Sequence, residues 1–134
     1  MEHIEGILKR AKTVAVVGLS PKADRPSYGV ASYLKEQGYR IIPVNPAADE
    51  VLGEKCYPDL SSIEEKVDVV DIFRRAEDVP PIVEEAIRTG AETVWMQEGI
   101  VNEEAAARAR EAGLEVVMDR CMLKEHKRLG LGKA

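Results

Sequence analysis

The stretch "VAVVGLSPKADRPSYGV", residues 14–30, predicts a strand, a loop and a helix in succession. The apolar run "TVAVVG" at 13–18 is typical of a strand that is buried on both faces of a sheet. Apolar residues then recur at helical spacing over residues 28–37, with Ser27 as the expected N-cap. Between the two elements, Gly18 starts a loop that is rich in proline and charged residues. A buried strand joined to a helix in this way is the unit from which parallel sheets are built.

The rest of the chain continues this alternation. Similar apolar runs predict further strands at residues 39–45, 67–73, 92–97 and 114–119. Helices are expected at residues 2–11, from a cap at Asp78 to Gly90, at 103–112 and at about 121–129. Residues 51–60 are irregular with at most a short edge strand, and Ser61 and Glu64 then indicate a capping box for one helical turn. The pattern predicts one α/β domain over residues 1–134, a Rossmann-like, doubly wound parallel sheet of about five strands with helices on both faces.

Composition excludes several functional classes. The net charge of −5 over 134 residues argues against a general nucleic-acid binder, which would present a basic face. No apolar run approaches the roughly 18 residues of a membrane span, and the start "MEHIEGILKRAK" is amphipathic rather than a signal peptide. The two cysteines, Cys56 and Cys121, do not form a disulfide framework. We therefore expect a cytoplasmic protein whose partner is neither nucleic acid nor membrane.

The loop after the first strand is the first candidate site, because ligands of such sheets bind at the carboxyl ends of the strands. A glycine turn with free amides, a guanidinium, a hydroxyl and a helix N-terminus together indicate a place for phosphate. The alternative interpretation is an ordinary loop with a capping serine. The candidate residues are Gly18, Leu19, Ser20, Arg25, Ser27 and Tyr28.

Other strand ends supply further candidates. The second predicted strand ends in "PVNP" with Asn45, and Gln97 ends the fourth, where an amide reads a base or ribose. After the third strand, Arg74 and Arg75 are either anion contacts or solvated charges. Phe73 either stacks on a flat base or closes the core. Several arginines at one rim favour a ligand with several phosphates.

NAD is one ligand that this loop leaves open. Its usual fingerprint has the spacing G-x-G-x-x-G and an acidic residue at the end of the second strand, which holds the ribose hydroxyl. Here the loop reads "GLSPKADRPSYG", and the neutral Asn45 stands at the strand end. Asp49 and Glu50 lie beyond a proline turn. NAD is therefore the weaker candidate.

The sequence contains no recognisable catalytic set. It lacks the G-x-S-x-G, H-E-x-x-H and P-loop motifs. Cys121 is either a reactive thiol beside a helix start or a half-buried structural residue. His126 has no second metal ligand at suitable spacing, except His3 or Cys121 brought near by folding, so no metal site is predicted.

Three stretches resemble a known family. They are "VAVVGLSPKADRPSYGVASYLKEQGYRIIPVNP", "VDVVDIFRRAEDVPPIVEEAIRTGAETVWMQEGI" and "VVMDRCMLKEH", and together they cover nearly the whole chain. The chain resembles the small stand-alone CoA-binding proteins, whose domain is similar to the N-terminal CoA-binding domain of the succinyl-CoA synthetase alpha subunit. The pieces "PVNP", "DIFR" and "DRC", in that order, are more specific than a glycine loop alone.

The resemblance implies that coenzyme A is the cofactor and lies across the strand ends. The turn from Gly18 to Ser20, with Arg25, Ser27 and Tyr28, would hold the phosphates. Asn45, Phe73 and Arg74 would flank the nucleotide and Gln97 would line the cleft, while Arg75 is less clearly part of the site. If the pantetheine arm points toward Cys121, a mixed disulfide with the CoA thiol is expected.

The resemblance does not supply a reaction. The synthetase's phosphorylated histidine belongs to a second domain, so we expect no ligase chemistry from this chain. The leading hypothesis is a module that binds CoA or acyl-CoA, as a carrier, buffer or sensor. The alternatives are a detached CoA-binding subunit of an acyl-CoA ligase or transferase and an NAD-binding redox or regulatory protein. A homo-oligomer or a ligase partner chain stays open.

Overall fold

Helices and strands alternate along residues 3–132, the part of the chain that the computed structural model describes. The helices are α1 (Ile4–Arg10), α2 (Pro26–Glu36), α3 (Val79–Thr89), α4 (Glu103–Glu111) and α5 (Met122–Arg128). The strands are β1 (Thr13–Val17), β2 (Arg40–Val44), β3 (Glu50–Val51), β4 (Glu54–Lys55), β5 (Val69–Ile72), β6 (Thr93–Met96) and β7 (Glu115–Met118). Residue 2, the expected start of the first helix, lies outside the described residues. None of the described helices is long and apolar enough to cross a membrane.

Five of these strands form one parallel sheet in the order β2-β1-β5-β6-β7. The predicted α/β class and doubly wound sheet are confirmed. From β1 the chain winds outward to β2, then returns to β5 on the other side of β1 and continues to β6 and β7. The connections after β1 and β5 therefore diverge, which opens a crevice at the carboxyl ends of these neighbouring strands.

Each face of the sheet carries its own apolar layer. One layer packs against α3 and α4 through Val83, Ala86 and Ala106, which are fully buried. The other packs against α1, α2 and α5 through residues such as Leu34 and Met122. Neighbouring side chains of a strand point to opposite faces of the sheet, and both faces are buried here. The sequence of each strand is therefore a continuous apolar run.

The start of α2 differs from the prediction. Arg25 is the N-cap and makes no side-chain cap bond, while Pro26 occupies the first turn. Proline is preorganised for that position, so the helix begins before Ser27. Ser27 is instead buried, and its Oγ accepts a hydrogen bond from the Ser20 amide at 3.0 Å.

The capping box predicted after residue 60 is also wrong. Residues 60–62 form a single 3-10 turn, and the Asp59 carboxylate caps it by accepting the Ser62 amide hydrogen at 2.9 Å. Ser61 instead donates both its amide and its hydroxyl hydrogen to Glu85 of α3. Its hydrogen bonds are therefore used to attach the turn to a neighbouring helix.

Two smaller details refine the prediction. The irregular segment contains the two-residue strands β3 and β4, which pair antiparallel as a small separate hairpin. Asp78 precedes α3, as expected, but its side chain makes no cap bond. Its carboxylate lies 3.4 Å from Nε of Arg75 instead.

Candidate functional site

A cavity of about 880 Å³ opens at the carboxyl ends of β1, β5 and β6. Seven of the ten predicted ligand-binding residues line it: Gly18, Ser20, Arg25, Ser27, Phe73, Arg74 and Gln97. The fold therefore brings together side chains that are separated by up to 79 positions in the sequence, from Gly18 to Gln97. The other three, Leu19, Tyr28 and Asn45, are not part of the lining.

Gly18 forms the floor of the cavity where β1 ends. Its φ of +88° lies in the left-handed region, and a Cβ built on it would lie 2.4 Å from the carbonyl oxygen of Phe73. Its amide donates to the carbonyl of Val44 at 2.8 Å, and the Phe73 amide donates to Val17 at 2.8 Å. Only glycine satisfies both the backbone angle and this close approach of two chain segments.

The loop after Gly18 is held by polar contacts of its own. Ser20 donates its amide hydrogen to Ser27, as described above, and its Oγ accepts the Lys22 amide hydrogen at 3.1 Å. Asn45 lies behind the loop, where its Nδ2 donates to the Leu19 carbonyl at 3.0 Å. Asn45 thus supports the loop from outside the cavity, and the Leu19 side chain is fully buried in the core.

Two of the three arginines at the cavity have no acidic partner among the described residues. Within the described part of the chain, neither Arg25 nor Arg74 forms an ion pair, whereas Nε of Arg75 lies 3.4 Å from Asp78 and 3.8 Å from Glu77. The Arg74 Nε would lie 3.2 Å from a Cβ at position 18, so this guanidinium reaches the glycine turn. The rim beside the turn therefore carries uncompensated positive charge that suits a phosphate.

The far end of the cavity is formed by the loop after β6 and the first turn of α5. Gln97 is 4 % exposed, and its Oε1 accepts the Met122 amide hydrogen at 3.1 Å. Glu98 and Lys124 pair at 2.7 Å at the rim. Cys121 also lines this end, and it is a free thiol that forms no disulfide with the other described cysteine.

A model of the CoA binding domain matches residues 12–127, which include every residue that lines the cavity. The chain belongs to the CoA-binding domain family. This confirms the predicted resemblance at the level of the family.

Relatives of this CoA-binding domain include proteins of the same size. YneT of Bacillus subtilis (strain 168), an uncharacterized protein, is 46% identical over 124 residues, and the match covers 92% of each chain. A solved structure of a hypothetical protein from Pyrococcus horikoshii OT3 superimposes with a TM-score of 0.93. It is 49% identical, and the match covers 96% of this chain and 90% of that one.

The CoA-binding domain is also similar to part of a much longer enzyme. ADP-forming acetate–CoA ligase II of Archaeoglobus fulgidus is 38% identical over 81 residues, which is 59% of this chain and 12% of the ligase. The domain therefore corresponds to a small fraction of the ligase.

Several residues of the CoA-binding domain's cavity were not predicted. Ile100, Leu123 and Lys124 line its far end, and Pro26 and Val30 line its near end. The apolar residues carry no chemical signature that separates them from core residues. Lys124 follows Cys121 by one turn of α5, and that spacing was the available signal.

One buried acid lies in the central strand β5. Asp71 is fully buried in β5, and neither carboxylate oxygen has a hydrogen-bond partner among residues 3–132. Burial raises the pKa of this carboxyl well above its usual range. Asp71 precedes Phe73 by two residues, so both side chains leave the strand on the same face. It belongs to the layer next to the cavity but does not line it.

Proposed function

We propose that this protein binds coenzyme A, free or acylated, across the carboxyl ends of β1, β5 and β6, without catalysing a reaction of its own. The phosphates lie at the loop from Gly18 to Ser27, and the pantetheine arm runs toward Gln97 and α5. Membership of the CoA-binding domain family supports the ligand. The observation that carries the proposal is the pair of guanidinium groups, Arg25 and Arg74, that line the cavity of a chain with a net charge of −5 and have no acidic partner within residues 3–132.

Each part of the ligand has a matching group in the cavity. Gly18 exposes backbone where a side chain would block a phosphate, and Arg25 supplies two parallel N–H donors. Arg74 and Phe73, at the end of β5, suit the nucleotide part through charge and ring stacking. Asn45 acts through the loop, because it holds the Leu19 carbonyl from behind. Leu19 contributes by anchoring the loop in the core, and Tyr28, in the first turn of α2, packs partly buried against the same core.

Calorimetric titration with CoA tests this assignment. We expect Arg25→Gln and Arg74→Gln to weaken CoA binding by about ten- to a hundredfold, since a charge-assisted hydrogen bond contributes about 1.5–3 kcal/mol. Arg75→Gln is the matched control because its guanidinium is already paired with Asp78 and Glu77. It should change affinity by about twofold or less.

The same titration separates the ligands. CoA should bind, dephospho-CoA should bind more weakly because it lacks one phosphate, and NAD should not bind at similar concentrations. Binding of NAD without binding of CoA would overturn the proposal. An equal loss in all three arginine variants would contradict the specific role of Arg25 and Arg74.

The ligase similarity favours a second candidate, a CoA-binding subunit that works with a separate ligase chain. The A. fulgidus ligase matches 59% of this chain. If this candidate is correct, affinity purification from the native cell should return an acyl-CoA ligase or transferase chain, and the mixture should make acyl-CoA. Purification of this chain alone from cells rich in CoA would count against it. In either case we expect a cytoplasmic protein, where free thiols such as Cys56 and Cys121 persist.

A further inference from the structure

The two cysteines of this chain lie in different surroundings. Cys56 follows β4, away from the cavity, and its thiol donates to the Asn45 carbonyl at 3.4 Å. Burial raises the pKa of the Cys56 thiol, which disfavours the thiolate. Cys121 lines the cavity and is 9 % exposed. Its sulfur has no hydrogen-bond partner among residues 3–132, so only Cys121 presents an unengaged thiol to a bound molecule.

Beside Cys121, the side-chain amide of Gln97 also lacks part of its hydrogen bonding. The backbone amide of Met122 donates a hydrogen bond, so the Gln97 atom that accepts it is Oε1. The NH₂ group of Gln97 takes no part in this bond and can donate to another acceptor. That NH₂ group has no acceptor within the described residues, although the side chain is 4 % exposed. Among the described residues, the only side-chain polar atoms that are both sealed from solvent and without a partner are the two Asp71 oxygens. The NH₂ group of Gln97 is therefore not sealed from solvent. Since Gln97 lines the cavity, we infer that this group opens onto it.

A donor that faces a cavity and has no protein acceptor is free to bond a ligand that supplies one. The pantetheine arm of CoA carries two amide carbonyl groups followed by a terminal thiol. Met122 directly follows Cys121, so the hydrogen bond from its amide places the Gln97 side chain next to the backbone of the cysteine at this end of the cavity. The arm would then run from the arginine rim past Gln97 and end near the Cys121 sulfur.

Lys124 adds a positive charge at the same place. Its pKa is raised mainly by the hydrogen bond and charge of Glu98 and, to a smaller extent, by the charge of Cys121. Lys124 and Cys121 both line this end of the cavity, and the ammonium group is held there by its ion pair with Glu98 at 2.7 Å.

We propose that Cys121 is a thiol–disulfide exchange site for the disulfide of CoA, which makes the protein a carrier of CoA in a mixed disulfide. This inference rests on the proposed CoA site. The Cys121 thiolate attacks one sulfur of the CoA disulfide, a bond forms between that sulfur and Sγ, and the original S–S bond breaks. The second CoA leaves as a thiolate and takes up a proton. The CoA disulfide is the oxidant, and a free thiol reverses the step.

Intact-mass measurement after incubation with CoA disulfide tests this proposal. We expect one adduct per chain, equal in mass to CoA less two hydrogen atoms, and peptide mapping should place it on Cys121. Cys121→Ser should form no adduct, whereas Cys56→Ser should react like the unaltered protein. Glutathione disulfide lacks the nucleotide that binds the cavity, so its reaction with Cys121 should be slower by about tenfold or more. An excess of desulfo-CoA, which fills the site without a thiol, should slow the reaction with CoA disulfide.

Calorimetry with desulfo-CoA separates the two proposals. If desulfo-CoA binds both the unaltered protein and Cys121→Ser but no adduct forms, the exchange site is wrong and the CoA site stands. An adduct on Cys56, or equal rates with glutathione disulfide, would likewise overturn the exchange site. If desulfo-CoA and CoA both fail to bind, the proposed function itself is wrong. Binding of desulfo-CoA by Cys121→Ser also shows that this variant is folded.

Discussion

The two faces of the sheet bury different kinds of side chain. On the face covered by α3 and α4, none of the buried side chains in residues 3–132 is polar or charged. The face covered by α1, α2 and α5 contains a similar apolar cluster, but it also holds the buried polar groups. These polar residues, assigned to the face by their helix or by alternation with Val69 and Trp95, are Ser27, Asp71, Thr93, Gln97 and His126.

The difference separates scaffold from site. Burying a polar group without full hydrogen bonding lowers stability, so a stable core avoids it. Departures from that rule commonly mark functional positions. Here Ser27 and Gln97 line the cavity, and Asp71 lies in the layer next to its floor. We infer that the α3 and α4 face supports the sheet while the opposite face carries the ligand chemistry.

The largest expected effect comes from Gly18, where the site depends on backbone geometry. Gly18→Val should lower stability by about 3 kcal/mol, or Tm by about 10 °C, because it combines a positive φ with a clash against Phe73. CoA binding should be lost. Gly29→Ala is the control, since a Cβ there meets nothing within 4 Å in the interior of α2. It should raise stability by about 0.5–1 kcal/mol, measured by thermal unfolding. A Gly18→Val protein with normal Tm would contradict this account.

Adjacent residues of β5 test the contrast between faces directly. Val70→Ala, on the α3 and α4 face, should lower the free energy of unfolding by about 2 kcal/mol at every pH. Asp71→Val should instead raise it by about 1–3 kcal/mol at neutral pH, because an unpartnered buried group is removed. Chemical denaturation of both variants measures the difference.

The pH dependence identifies the Asp71 carboxyl as the cause. Burial raises the pKa of Asp71 in the folded protein, so above the unfolded pKa of about 3.9 the folded state holds a proton that the unfolded state has released. This stability contribution is complete below that pH and declines as pH rises toward the folded pKa. Asp71→Val should remove the decline. If its advantage over the unaltered protein were the same at pH 4 and pH 8, the explanation would fail.

The smallest effect is expected at His126 and has the opposite sign. Its Nδ1 lies 2.8 Å from the Tyr33 hydroxyl, and its ring packs edge-on against Tyr33 and Tyr39. Burial lowers its pKa, so below the unfolded value of about 6.5 the unfolded state takes up a proton first and stability falls with falling pH. Between pH 7 and 5.5 we expect Tm to fall by about 3 °C for this reason.

His126→Phe keeps the ring contacts and should remove this step in Tm. The variant loses the hydrogen bond to Tyr33, which lowers its Tm equally at pH 7 and pH 5.5. The measurement that matters is therefore the change in Tm between the two pH values, not the Tm itself. An unchanged slope would assign the effect to another group.

The local sequence pattern was sufficient to predict much of the fold of this protein. The apolar runs of β1, β5 and β6 predicted buried parallel strands because both faces of each strand meet helices. The glycine turn at Gly18 was also visible, since glycine adopts a positive φ without the steric cost of a Cβ, and Gly18 has a φ of +88°. Such features depend on residues that are close in the sequence. The family resemblance added the ligand.

Only the tertiary structure decided which strand ends meet and what each polar side chain contacts. Ser27 was a good candidate cap by its sequence position, yet Pro26 starts the helix earlier and Ser27 bonds Ser20. Asn45 was expected at the ligand, but it supports the loop at Leu19. The pairing of Gln97 with Met122 joins β6 to α5 across 25 positions. Contacts of this kind depend on strand order and helix packing, which are set by burial of the whole core rather than by local sequence.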